Sequence, residues 1–139
     1  MTDLTLSVSR VIKATPQRIY EAWLDPAMMT RFMYPRPDMH ITEARSDARV
    51  GGRFRVVMVG DKEFPHEGTY KELAPYSRLV FTWEAPWSAP DSTVTITLTP
   101  QGDGTRVDLN HVRFLSEDSR DGHATGWTGM LEILETALA

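Results

Sequence analysis

The sequence predicts an α+β fold: a twisted antiparallel sheet, two short helices after its first strand, and one long C-terminal helix covering its apolar face. Three observations predict it. Segments with apolar residues at every second position recur along most of the chain, the period of half-buried strands. Two Pro-initiated stretches follow the first such segment. Near the end the apolar period changes from two to about 3.6, which marks an amphipathic helix.

Leu4, Leu6 and Val8 alternate with Thr5 and Ser7, and the strand continues through Ile12. Thr15-Pro16 is a helix start, with Thr15 as N-cap and Ile19, Ala22 and Trp23 on one face. Asp25-Pro26 ends that helix and begins a second, carrying Met28, Met29 and Phe32. Pro35 and Pro37 break it. A strand is expected from about Met39 to Ala44, and Gly51-Gly52 opens the next, with Phe54, Val56 and Met58 on its inner face.

After the turn at Gly60-Asp61, a strand runs from about Glu63 to Leu73. Pro75 to Arg78 is a turn, and Leu79, Phe81 and Trp83 continue the meander. Glu84 to Ser92 holds two prolines without alternation and is a loop. Val94, Ile96 and Leu98 alternate with threonines, Gly102-Asp103-Gly104 is a hairpin turn, and Val107 and Leu109 lie on a last strand ending near Phe114. Trp127, Met130, Leu131, Leu134 and Leu138 then share one helical face, with Glu132 and Glu135 set away from it. Such a sheet needs one face covered, and this helix is the available cover.

Bulk properties narrow the function. One domain over residues 1–139 is expected from the length, and 41% hydrophobic with 24% charged residues is a globular balance. A formal net charge of −4, without a run of like charges, argues against nucleic acid. The absence of cysteine excludes disulfides, thiolate metal sites and thiol nucleophiles. Met1 to Arg10 lacks the continuous apolar block of a leader, and no stretch reaches the roughly 20 apolar residues of a membrane span, so the cytoplasm is the expected location.

Several short segments, taken in order, carry a family resemblance. They are Ala14-Thr15-Pro16, Ile19-Tyr20-Glu21-Ala22-Trp23, Asp25-Pro26, Gly51-Gly52-Arg53-Phe54 and Glu67-Gly68-Thr69-Tyr70. Leu79-Val80-Phe81-Thr82-Trp83, Gly104-Thr105-Arg106-Val107 and Gly126-Trp127 complete the set. The chain resembles the SRPBCC (START/Bet v-like) superfamily, in the branch similar to the C-terminal domain of Aha-type activators of the heat-shock chaperone ATPase. The resemblance implies a helix-grip fold, a curved sheet wrapped around the C-terminal helix with an apolar cavity between them. Phe32-Met33-Tyr34-Pro35 departs from the Trp-Trp-Gly-Pro-like segment frequent in relatives, and Arg49 and Val50 precede the paired glycines where a proline is more typical.

The candidate ligand-binding residues are Trp23, Phe32, Phe54, Met58, His66, Tyr70, Phe81, Trp83, His111, Trp127 and Met130. Two readings stand: these side chains line an apolar cavity, or they fill a closed core. His66 and His111 share the parity of the inward residues on their strands, so each either orients a ligand or is a hydrogen-bonded core histidine. Met29 and Phe32 are expected to shape the cavity mouth, while Arg53, Arg55 and Glu67 alternate to the outer face. Gly51 and Gly52 suit a turn or bulge, since they lack the strand-to-helix setting of a phosphate loop.

No nucleophile elbow, zinc-protease, Walker or dinucleotide motif is present, and His40, His66, His111 and His123 lack metal-ligand spacing. No cofactor, metal or catalytic group is expected. The leading expectation is a module that binds a small apolar or amphipathic molecule. An enzyme acting on an apolar substrate, with His66, His111 or Tyr70 as acid–base group, is the alternative. A third is a protein-contact role related to the co-chaperones, although the chain has no room for their N-terminal half.

Overall fold

The computed structural model describes residues 4–139; Met1–Asp3, where the segment read for a leader begins, lie outside it. In chain order the elements are β1 (Thr5–Ile12), α1 (Pro16–Ala22), α2 (Pro26–Phe32), β2 (His40–Ser46), β3 (Arg53–Val59) and β4 (Glu63–Ala74). β5 (Arg78–Thr82), β6 (Thr93–Gln101), β7 (Gly104–Val112) and α3 (Glu117–Leu138) follow. Strand boundaries shift by a residue or two from expectation. The larger difference is at α3, which begins at Glu117, well before the apolar stripe headed by Trp127.

Each pair of neighbours in the seven-stranded sheet is antiparallel, in the order β1-β7-β6-β5-β4-β3-β2. Strands consecutive in sequence lie side by side except β1 and β2, which form opposite edges. The connection between them carries α1 and α2 across one end of the sheet. Both helices start as the sequence requires: the Thr15 hydroxyl accepts from the Arg18 amide at 3.2 Å, and the Asp25 carboxylate accepts from the Ala27 amide at 3.0 Å. The β6–β7 hairpin turns through Gly102 at φ +61°, a left-handed value that glycine adopts without steric cost.

The alternating residues of β6 and β7 bury Val94, Ile96, Leu98, Val107 and Leu109 on the concave face, against Leu131, Leu134 and Leu138 among others in one core. Arg53 and Arg55 point to the outer face, where they pair with Glu84 at 3.2 Å and with Glu43 and Glu67 at 3.3 and 3.4 Å. Glu135 is not merely solvated. Its carboxylate accepts from Arg10 of β1 at 2.8 Å.

The C-terminal end of α3 is held more firmly than its own sequence suggests. Its last turn has no basic residue. Instead Arg18 of α1 donates to the Leu138 carbonyl at 2.9 Å, and Arg31 of α2 donates to the Ala137 carbonyl at 3.1 Å. Two guanidinium groups thereby satisfy carbonyls that have no partner within the helix and oppose the negative end of its dipole. Nearer the middle, Gly129 lets α3 approach the loop after α2: a Cβ there would lie 2.2 Å from the Pro35 carbonyl oxygen.

Candidate functional site

A cleft of about 380 Å³ lies between the N-terminal half of α3 and the sheet. Its sheet wall is Met58 of β3, Phe64 and His66 of β4, and Trp83 just beyond β5. Its helix wall is Gly122, His123, Gly126, Trp127 and Met130, with Asp118 and Ser119 nearer the helix start. Pro35, Arg36 and Met39 from the α2–β2 loop close one side. The volume falls in the range of small-molecule sites, and the lining is mostly aromatic rings and thioethers with a few polar groups.

Five residues singled out from the sequence meet at this cleft: Met58, His66, Trp83, Trp127 and Met130. The other six lie elsewhere. Trp23, Phe54, Tyr70 and Phe81 surround a void of about 10 Å³ together with Met29 and Met33, too small for more than a single water. Phe32 is fully buried beside Trp23, ring centroids 5.0 Å apart and nearly perpendicular. The expectation that Met29 and Phe32 shape the mouth is therefore corrected. α1 and α2 lay these side chains over the closed end of the sheet, and the mouth is formed by the loop that follows them.

His66 is buried, with its ring stacked on Trp83 at 4.6 Å and meeting the edge of Trp87 at 5.5 Å. Its Nδ1 lies 3.1 Å from the Phe64 carbonyl oxygen. A carbonyl only accepts, so Nδ1 carries the proton and donates. Burial pushes this imidazole down to about 4, a shift only partly opposed by the Phe64 carbonyl, so it is neutral at pH 7.

His111 has no exposure and lies behind the cleft wall. The Trp127 indole N–H donates to its Nδ1 at 3.0 Å. The proton therefore sits on Nε2, which donates to the Ser92 hydroxyl at 2.6 Å. Burial, then the nearby imidazoles of His123 and His66, push His111 down to about 3. Both nitrogens are occupied, and its evident work is to fix the plane of Trp127.

Tyr70 is likewise engaged. Its hydroxyl is 2.8 Å from the Ser46 hydroxyl, and burial pushes it up to about 12. Of the three acid–base candidates only His66 borders the cleft.

Sequence reasoning passed over His123, Gly122, Gly126 and Pro35, all of which line the cleft. His123 donates from Nδ1 to the Ser119 carbonyl one turn earlier at 2.8 Å. The Ser116 hydroxyl, which accepts from the Ser119 amide at 3.1 Å, is the cap that starts this half of the helix. Ser116 followed by Glu117 and Asp118 was a usable signal for it. Trp87, within the expected loop, packs its ring on Phe64 and His66 beside the cleft and is 41% exposed.

Among the described residues no three His, Cys, Asp or Glu side chains converge as a metal site, and no helix is long and apolar enough to cross a membrane.

A curved antiparallel sheet gripping one long helix, with an apolar cleft between them, defines a helix-grip domain of the SRPBCC superfamily. Within that class, the chain belongs to the family described as Activator of Hsp90 ATPase homolog 1-like protein, which it matches over residues 13–139. It is similar to protein CV1439 from Chromobacterium violaceum, with 26% identity, 96% of each chain covered and a TM-score of 0.86. An AHSA1-like protein from Aeromonas hydrophila is also 26% identical, with 96% of this chain and 91% of that one covered and a TM-score of 0.83. A Staphylococcus aureus protein, SA2116, shares the fold with a TM-score of 0.85 at 16% identity, covering 99% of this chain and 94% of that one. No match is found among curated proteins.

Proposed function

We propose that the chain acts as one domain that binds a small apolar or amphipathic molecule in the cleft between the sheet and the N-terminal half of α3. The observation that carries this reading is the cleft's construction. About 380 Å³ stays open although Phe64, Trp83, Trp127, Met58 and Met130 border it, because glycines stand opposite them at 122 and 126. A core of this composition ordinarily closes to native packing density. Open apolar surface in contact with water is unfavourable by about 25 cal/mol per Å², and a ligand that covers it recovers that free energy. The family takes its name from an activator of a chaperone ATPase, but an open apolar cleft walled by aromatic rings favours a small-molecule site over a protein-contact surface.

Gly122 supplies the test. A Cβ added there meets nothing within 4 Å, so the backbone accepts a side chain at this lining position, and Gly122→Leu adds bulk at the cleft wall. Naphthalene is expected to raise the melting temperature of the wild-type chain by mass action and to leave Gly122→Leu unmoved. Equal shifts in both proteins would place binding outside the cleft, and no shift in the wild type would remove the reading.

A further inference from the structure

The cleft wall holds two imidazoles whose Nδ1 is engaged by a backbone carbonyl, His66 and His123, and His66 is the more deeply buried of the two. His66 donates through Nδ1 to Phe64, so its Nε2 carries a lone pair, and among the described residues nothing donates to it. Flipping the ring to move Nε2 away would break the Phe64 hydrogen bond. Trp83 itself carries an indole N–H that is buried without a partner. That indole N–H is shielded from the cleft, so the acceptor a ligand can meet on this wall is Nε2 of His66, and a hydroxyl is a small uncharged group that donates to it.

The charged groups bordering the cleft are Arg36 and Asp118, both exposed, and Arg36 lies 3.3 Å from the Asp38 carboxylate. A carboxylate directed inward would meet the His66 lone pair rather than a cation. A plain hydrocarbon would desolvate that lone pair and leave it unpaired.

We propose, resting on the cleft being a ligand site, that it selects an uncharged alcohol or phenol whose O–H donates to Nε2 of His66. His66 is thereby the residue that sets specificity, while Met58, Trp127 and Met130 supply apolar contact without discriminating between hydroxylated and bare ligands.

The experiment compares 2-naphthol, naphthalene and 2-naphthoate, three ligands with one ring system, by calorimetric titration at pH 7. Wild type is expected to bind 2-naphthol about tenfold more tightly than naphthalene. His66→Phe is expected to erase that preference while keeping naphthalene affinity, and His66→Gln, whose amide oxygen accepts, to restore part of it. In ¹⁵N spectra of the wild type, the Nε2 resonance of His66 is expected to move with 2-naphthol and stay with naphthalene, a readout that needs no variant to fold. Equal binding of 2-naphthol and naphthalene would overturn the hydroxyl assignment and leave the cleft reading standing. Tightest binding of 2-naphthoate would overturn it in favour of recognition at Arg36. Failure of all three to bind would remove the cleft reading and this assignment with it.

Discussion

The concave side of the sheet has two ends built from the same kinds of residue with opposite results. At one end Trp23, Phe54, Tyr70 and Phe81, with Met29 and Met33, leave about 10 Å³. At the other, Phe64, Trp83, Trp127, Met58 and Met130 leave about 380 Å³. Aromatic and thioether content does not distinguish them. What differs is the layer opposite the sheet. The closed end receives large side chains from α1 and α2, whereas the open end faces Gly122 and Gly126 of α3 and the backbone-rich turn at Pro35. Whether a large inward side chain is core or cavity wall is thus decided by its neighbour across the gap, not by its own identity.

The sharpest way to break the comparison is to truncate one side chain at each end. Phe81→Ala at the closed end is expected to cost about 3–5 kcal/mol in urea unfolding, the range for emptying a well-packed aromatic site. Met130→Ala at the open end is expected to cost about 2 kcal/mol or less, since that side chain already borders open space on one side. Equal losses would mean that the open end is packed as tightly as the closed one.

A second contrast is drawn by acid. Burial lowers His66 and His111 in the folded chain to about 4 and about 3, against an ordinary value of 6.5. Between those values and 6.5 the unfolded chain binds more protons, so stability is complete above pH 6.5 and falls as the pH drops through that interval. The loss is expected to be on the order of a few kcal/mol between pH 7 and pH 4. His111→Gln, which removes the more deeply buried imidazole, is expected to flatten the dependence of the urea midpoint on pH; an unchanged slope would assign the acid sensitivity to other groups.

The smallest expected effect sharpens the picture of the open end. Gly122→Ala is expected to raise stability by roughly 0.5–1 kcal/mol, because helix-interior glycine costs that much relative to alanine and the added methyl meets nothing. A loss of stability there would indicate that the glycine has a close neighbour after all.

The same contrast explains what the sequence disclosed. The strands of β6 and β7 were legible because one face is fully buried and the other polar, so Val94, Ile96, Leu98, Val107 and Leu109 stand out at every second position. The last three turns of α3 were legible for the equivalent reason at helical spacing. Glu117 to Gly126 was not, because a helix that borders open space has no continuous apolar stripe to display: Gly122 and His123 face the cleft where leucines would otherwise pack. Trp83 and Trp127 were legible as inward residues. Trp23 and Phe81 shared that character, yet only the positions of α1 and α2 separate the two pairs into core and cleft. The polar role of His66 depended on a carbonyl two residues back along its own strand, a contact that strand parity suggests but does not specify.

The two arginines that cap α3 have a mechanical consequence. Arg18 and Arg31 fasten the helix at Ala137 and Leu138, while Gly122 lies 16 residues away, roughly 24 Å along the axis. The helix is thus fastened at its last turn by these arginines, braced partway along by Pro35 against Gly129, and tied near its start to β7 and the segment after it through His111 and Phe114, which pack on Trp127 and His123. The cleft lies between the second and third of these attachments, so its walls are held by contacts that never touch its contents.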